Sequence, residues 1–165
     1  MPSIQQVPPG TFYNGVPIPD DWPAWLRNIA VAAETVEYKG VTHTYAVAKR
    51  DFSDEAKRFE GFVAYIAGYV LVSEDTPPTF RPYCALHEIV EMTELAGKRG
   101  RCLEALKIEL AHVPKAVRHL YAAYRLVFFM QLITFHEENG NVDSDDINEM
   151  RESLRYLWPK ELGPK

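Results

Sequence analysis

In the stretch YCALHEIVEMTEL, residues 83–95, a histidine is followed at once by a glutamate and four positions on by another: His87, Glu88 and Glu91. On an α-helix, residues four apart stand one above the other. The His87 imidazole and the Glu91 carboxylate therefore point the same way and can reach one divalent metal ion. Glu88 leaves the helix roughly 100° further round. A metal that keeps a position open for water takes three protein ligands, so a third has to come from elsewhere in the chain. The helix expected next carries Cys102, Glu109 and His112 on a common face, and all three are competent ligands. Glu109-x-x-His112 also has the spacing of carboxylate-bridged di-iron helices, but the sequence holds no second such pair. The competing reading is a solvated acidic face, Glu88, Glu91 and Glu94, balanced by Lys98 and Arg99. Against it stand Leu86, Ile89, Val90 and Leu95, an apolar stripe that covers at least part of the histidine.

This His-Glu-x-x-Glu helix resembles the His-Glu-x-x-His active-site helix of the zincin metallopeptidases, with Glu91 where their second histidine stands. The resemblance covers residues 62–112 and is one of motif and element order. It implies a metal-dependent hydrolase, in the first instance a peptidase. His87, Glu91 and Glu109 would hold the ion, Glu109 matching the glutamate that glutamate-type zincins carry on a following helix. Glu88 would be the catalytic general base, activating water toward an amide carbonyl polarised by the metal. His112 and then Cys102 stand behind Glu109 as third ligand, since a lone cysteine is most often a small hydrophobe. The resemblance also implies that the strand before the helix, GYVLVS, runs along the cleft and pairs with an extended peptide. Zinc is the expected metal. Two carboxylates would weaken its hold on the acidity of bound water and would also suit manganese or iron. The chain lacks the further histidine of the metzincins and any recognisable aspartate after Glu109 to orient an imidazole. The alternative, from a different class, is a non-catalytic interaction or scaffold protein that binds a protein partner or a second copy of itself, as a homodimer, through a proline-rich arm and its aromatic residues.

The bulk of the sequence narrows the partners. Eighteen basic residues against 23 acidic ones give a net charge of -5, with the only basic cluster in GKRGR, residues 97–101. Phosphate recognition needs clustered positive charge, so nucleic acid is not expected. Two cysteines, Cys84 and Cys102, make no disulfide framework. The first residues show no basic stretch followed by an apolar one. The longest apolar run, LVFFMQLITF, is half the ~20 residues that span a bilayer. A cytoplasmic protein with no membrane partner is the expectation.

The elements that must position these residues can be read in order. Residues 1–23 hold six prolines and form an extended arm, and residues 24–165 one globular domain of 47% apolar composition overall. A helix begins near Pro23 with Trp25, Leu26, Ile29 and Ala33 on its buried face. A β-ribbon follows, Val36, Tyr38, Val41, His43, Tyr45 and Val47 alternating around a turn at Lys39-Gly40. Ser53 starts a short helix, and FVAYIAGYVLVS, residues 62–73, is one bent strand or two short ones broken at Gly68. Four helices complete the chain. They run from Pro82 to Ala96, from Arg101 to Ala111, from Pro114 to Glu138 and over residues 145–158, the last with Ile147, Met150, Leu154 and Trp158 inward. The third, apolar almost all round, belongs at the centre of a core, where Tyr121 and Tyr124 read as packing residues. The fold class is α+β: a small sheet in the N-terminal half, then a helical core, zincin-like in its order.

Overall fold

A computed structural model describes residues 15–59, 61–98, 100–140 and 144–158. The fold is α+β, a five-stranded sheet in the N-terminal half followed by a helical region. The chain forms two compact units, one of residues up to 57 together with 61–89, the other of residues 58–60 together with 90 onward. Among the described residues no helix is long and apolar enough to cross a membrane.

The first unit is built on strands β1 (Gly15–Val16), β2 (Ala30–Tyr38), β3 (Val41–Ala48), β4 (Val63–Ile66) and β5 (Tyr69–Ser73), in the order β1-β2-β3-β5-β4. Both hairpins close on two residues of positive φ, Lys39-Gly40 (51° and 79°) and Ala67-Gly68 (51° and 85°). Such mirror-image turns match the right-handed twist of the strands they join. The Lys39-Gly40 turn and the break at Gly68 stand where the sequence reading puts them. Among the described strands only β3 and β5 pair in parallel, and the connection between them contains β4 and a 3-10 turn capped by Ser53, whose Oγ accepts the Ala56 N–H at 3.0 Å.

Helix α1 (Ala24–Ile29) is shorter than its apolar spacing predicts: it stops after Ile29, and Ala33 lies in β2. The alanine-rich run AVAAE has helical propensity, but pairing with β3 along the strand overrides it. The core shows why alanine is useful there. Ala33, Ala46 and Ala48 leave room on the sheet for Trp22 and Leu26, which pack on them with Leu71. Trp25, expected inside, is 38% exposed and meets only the edge of the Tyr69 ring among the described ring contacts. Of the proline-rich arm, Gly15-Val16 pair with β2 and Trp22 enters the core, whereas Phe12 and Tyr13 lie outside the described residues.

Helix α2 (Arg81–Met92) carries the His-Glu-x-x-Glu motif, and its first residue is bolted to the sheet. Arg81 is buried and uses all three guanidinium nitrogens: Nη1 to Glu34 Oε2, Nε to the Thr76 carbonyl and Nη2 to the Glu74 carbonyl, each at 3.0 Å. The other Glu34 oxygen accepts the Tyr45 hydroxyl at 2.9 Å. A buried charge pair is tolerable when its remaining donors and acceptors are satisfied in this way. Strand β5, just before α2, is flanked by β3 on one side and β4 on the other. The expected role of GYVLVS as the strand that takes up a peptide is therefore not available to it, because its backbone groups are already committed; the outer strand on that side is β4.

In the second unit, α3 (Arg101–His112), α4 (Arg118–Asn139) and α5 (Ser144–Leu157) pack together, with α5 against both α3 and α4. Phe59 is fully buried against Phe128 and Phe135, at 5.9 and 5.4 Å between ring centroids. Helix α4 begins after a 3-10 turn at Lys115–Val117 and ends at Gly140 with φ 64°. It is not enclosed on all sides as its composition suggests: Leu120, Val127 and Met130 are exposed. In α5, Ser153 and Leu157 are buried, Ile147, Met150 and Leu154 are half-buried, and Trp158, expected inward, is exposed.

Candidate metal centre

The face of α2 that bears the motif is a buried one. Cys84, His87 and Val90 are 0–3% exposed and Glu88 is 9% exposed, so the histidine and its neighbour do not belong to a freely solvated acidic surface. Burial also pushes the phenol of nearby Tyr83 above its usual range. Glu91 stands one turn after His87. The division between the two units falls inside α2, between Ile89 and Val90, but the helix is continuous across it. The spacing of His87 and Glu91 is therefore set by helix geometry, while Glu91 and Cys102 belong to one unit.

His87, Glu91 and Cys102 form a group in which one ligand atom from each residue lies within 4.8 Å of the others. Three ligand atoms on a tetrahedron with bonds of 2.0–2.3 Å are about 3.3–3.7 Å apart. The 4.8 Å limit is wider than that closed geometry; imidazole, carboxylate and thiolate are all zinc ligands. Cys102 sits in the first turn of α3, held from α5: its backbone N–H donates to Glu149 Oε1, a carboxylate placed at a helix N-terminus. The Ser153 hydroxyl, with one hydrogen to share, lies 3.6 Å from Cys102 Sγ and 3.1 Å from the Glu149 carbonyl oxygen. Contacts of this kind around a metal ligand fix its orientation.

Of the three sequence candidates for third ligand, Cys102 is thus the one brought to His87 and Glu91. Glu109 is fully buried and engaged otherwise. Its Oε2 lies 2.7 Å from Arg125 Nε, Arg125 Nη2 donates to Oε1 at 3.4 Å, and the Tyr121 hydroxyl donates to Oε2. Arg125 in turn stacks over Phe128 and Phe129, at 4.9 and 5.1 Å from their centroids. His112 is exposed, its Nδ1 bonded to the Ile108 carbonyl one turn back at 2.8 Å. The chain makes the choice through a short connection. Residues 93–100 join α2 to α3, with Gly97 and Gly100 at φ 77° and 70°, so the first turn of α3 follows closely on the last turn of α2. Glu109, seven residues on, stands about 10 Å further along the α3 axis than Cys102. The brevity of that connection was the available signal for Cys102, and it outweighs the general tendency of a lone cysteine to be a core filler.

No family model matches the sequence, no curated protein matches it, and no solved structure matches its fold.

Proposed function

We propose that this protein binds one divalent metal ion, zinc in the first instance, through His87, Glu91 and Cys102, and that it is a metal-dependent hydrolase. The observation that supports this reading is the convergence of three chemically different ligand groups, from two turns of α2 and the first turn of α3; three protein ligands are what a catalytic zinc with an open position takes. Zinc, when bound, supplies an acidified water and a Lewis acid for a carbonyl. His87 and Glu91 bind from consecutive turns of α2, and Cys102 binds from α3 with Glu149 and Ser153 fixing its place. Glu88, next to His87 on α2, takes the proton of the attacking water at its carboxylate and passes it to the leaving group. One anionic thiolate and one carboxylate leave the ion less acidic than a histidine-rich site, and the thiolate favours zinc over manganese. A peptide is the proposed substrate class; being interior, β5 does not bind it, and side-chain recognition takes the place of strand pairing.

Burial of His87 and Glu88 favours a second reading, a structural ion in a non-catalytic interaction protein. Metal analysis and one substitution separate them. Protein purified without chelator should hold close to one zinc per chain by mass spectrometry. His87→Ala and Cys102→Ala should lose it, and Glu109→Gln should keep it. Metal-free wild type with no thermal shift on adding zinc, manganese or iron would defeat both readings. Glu88→Gln should retain zinc and lose turnover of a quenched-fluorescent peptide mixture. Zinc-loaded wild type that cleaves no peptide would leave the structural ion.

A further inference from the structure

The exposed face of α4 is an apolar stripe on a helix that is otherwise packed. Leu120 is 56% exposed, Met130 49%, Val127 40% and, just before the helix, Val117 37%. At 100° per residue these positions, with Ala123 and Thr134, fall on one side of the helix centred on Val127. Beside the C-terminal half of the stripe lies a shallow groove of about 330 Å³, lined by Arg58, Met130, Gln131, Thr134, Phe135 and Glu138. Exposed charge flanks the stripe: Lys115 stands just before the helix and Glu138 at its end, while Arg118 is turned to the Val113 carbonyl, Glu137 pairs with Arg151 and His136 adds a basic group to the last turn.

We infer that this face is the contact of a two-fold homodimer in which α4 of each copy packs antiparallel on the other, crossing at Val127. A two-fold axis at Val127 sets residue n against residue 254 − n of the other chain, to within one position. Leu120, the most exposed apolar side chain of the helix, then faces the partner's Thr134 and drops into the groove beside it. Ala123 meets the partner's Met130, small against large, as interdigitating helices require. Lys115 of each copy lies near Glu138 of the other, within one position of the register, and the two helix dipoles oppose. A parallel pairing would stack like charges at both ends and set Leu120 on the partner's Leu120, away from the groove. The stripe is thus complementary to itself in shape and charge in one direction only, and this identifies a second copy of the chain as the occupant. A contact made by one helix of 22 residues, ~33 Å long, falls short of the ~800 Å² per partner of a standard interface, so the dimer is weak.

Sedimentation of the full chain over about 1–300 µM, the range a small interface calls for, should show reversible passage from 18.9 kDa toward twice that mass. Val127→Glu, at an exposed site, should stay monomeric with an unchanged melting temperature. Register is tested by cysteine cross-linking under mild oxidation. Val127→Cys should form a disulfide dimer with itself; Leu120→Cys and Thr134→Cys should each fail alone and should cross-link when the two variants are mixed. Wild type that remains monomeric throughout overturns the inference. So does self-linking of Thr134→Cys, the mark of a parallel pair. The unsubstituted chain, with Cys84 and Cys102, is the control and should not cross-link.

Discussion

Glu109 is the residue at which sequence resemblance and tertiary structure assign different work, and Glu109→Gln separates them. As a metal ligand its loss would strip the ion and leave stability little changed once the metal is absent. In the structure it is the counter-ion of Arg125, at 0% and 1% exposure, with the Tyr121 hydroxyl on the same carboxylate. Removing one partner of a buried pair costs about 3–5 kcal/mol, because the other charge stays buried. The amide keeps one acceptor oxygen, and the Phe128 and Phe129 rings still receive the guanidinium face, so the lower half of that range is expected. About 3–4 kcal/mol is a large part of a total that is typically 5–15 kcal/mol. For a chain of this size it lowers the melting temperature by roughly 6–16 °C. The assay is urea unfolding of metal-free protein followed by circular dichroism, with zinc content measured in parallel. A control guards against a variant that does not fold: Glu109→Leu combined with Arg125→Met removes both charges and should recover a substantial part of the loss. A Glu109→Gln protein as stable as wild type but devoid of zinc would refute the assignment and return Glu109 to the ligand set.

Two further outcomes follow from the sheet. Glu34→Gln leaves Arg81 buried without its carboxylate and should cost about 3 kcal/mol, whereas Tyr45→Phe, which removes one hydrogen bond to the same carboxylate, should cost about 1 kcal/mol; equal effects in urea titrations would show that the ion pair does not anchor the start of α2. Ala67 sits at φ 51° in the β4–β5 turn, so Ala67→Asn should raise the urea midpoint by the equivalent of about 0.5–1 kcal/mol with the slope unchanged, and a lowered midpoint would rule out the mirror-image turn.

What the sequence determined by itself is local. The turn at Lys39-Gly40 follows from alternation on both sides of a glycine, and the Ser53 cap from a serine ahead of a polar first turn. The pairing of His87 with Glu91 follows from helical repeat alone, and the α+β class from the order of periodicities. Tertiary structure decided whatever depends on residues distant in the chain. Helical propensity in AVAAE yields to β3 because eight paired residues of ladder and a tryptophan seated on small side chains outweigh a few tenths of a kcal/mol per residue. The apolar run GYVLVS does not reveal whether its strand lies inside or at the edge of the sheet, since only the parallel pairing with β3 settles that. The choice of Cys102 over Glu109 is of the same kind. All three candidates on α3 share a face, and periodicity fixes direction around the axis but not position along it. A connection of eight residues sets that position, and Arg125, sixteen residues further on, claims the glutamate.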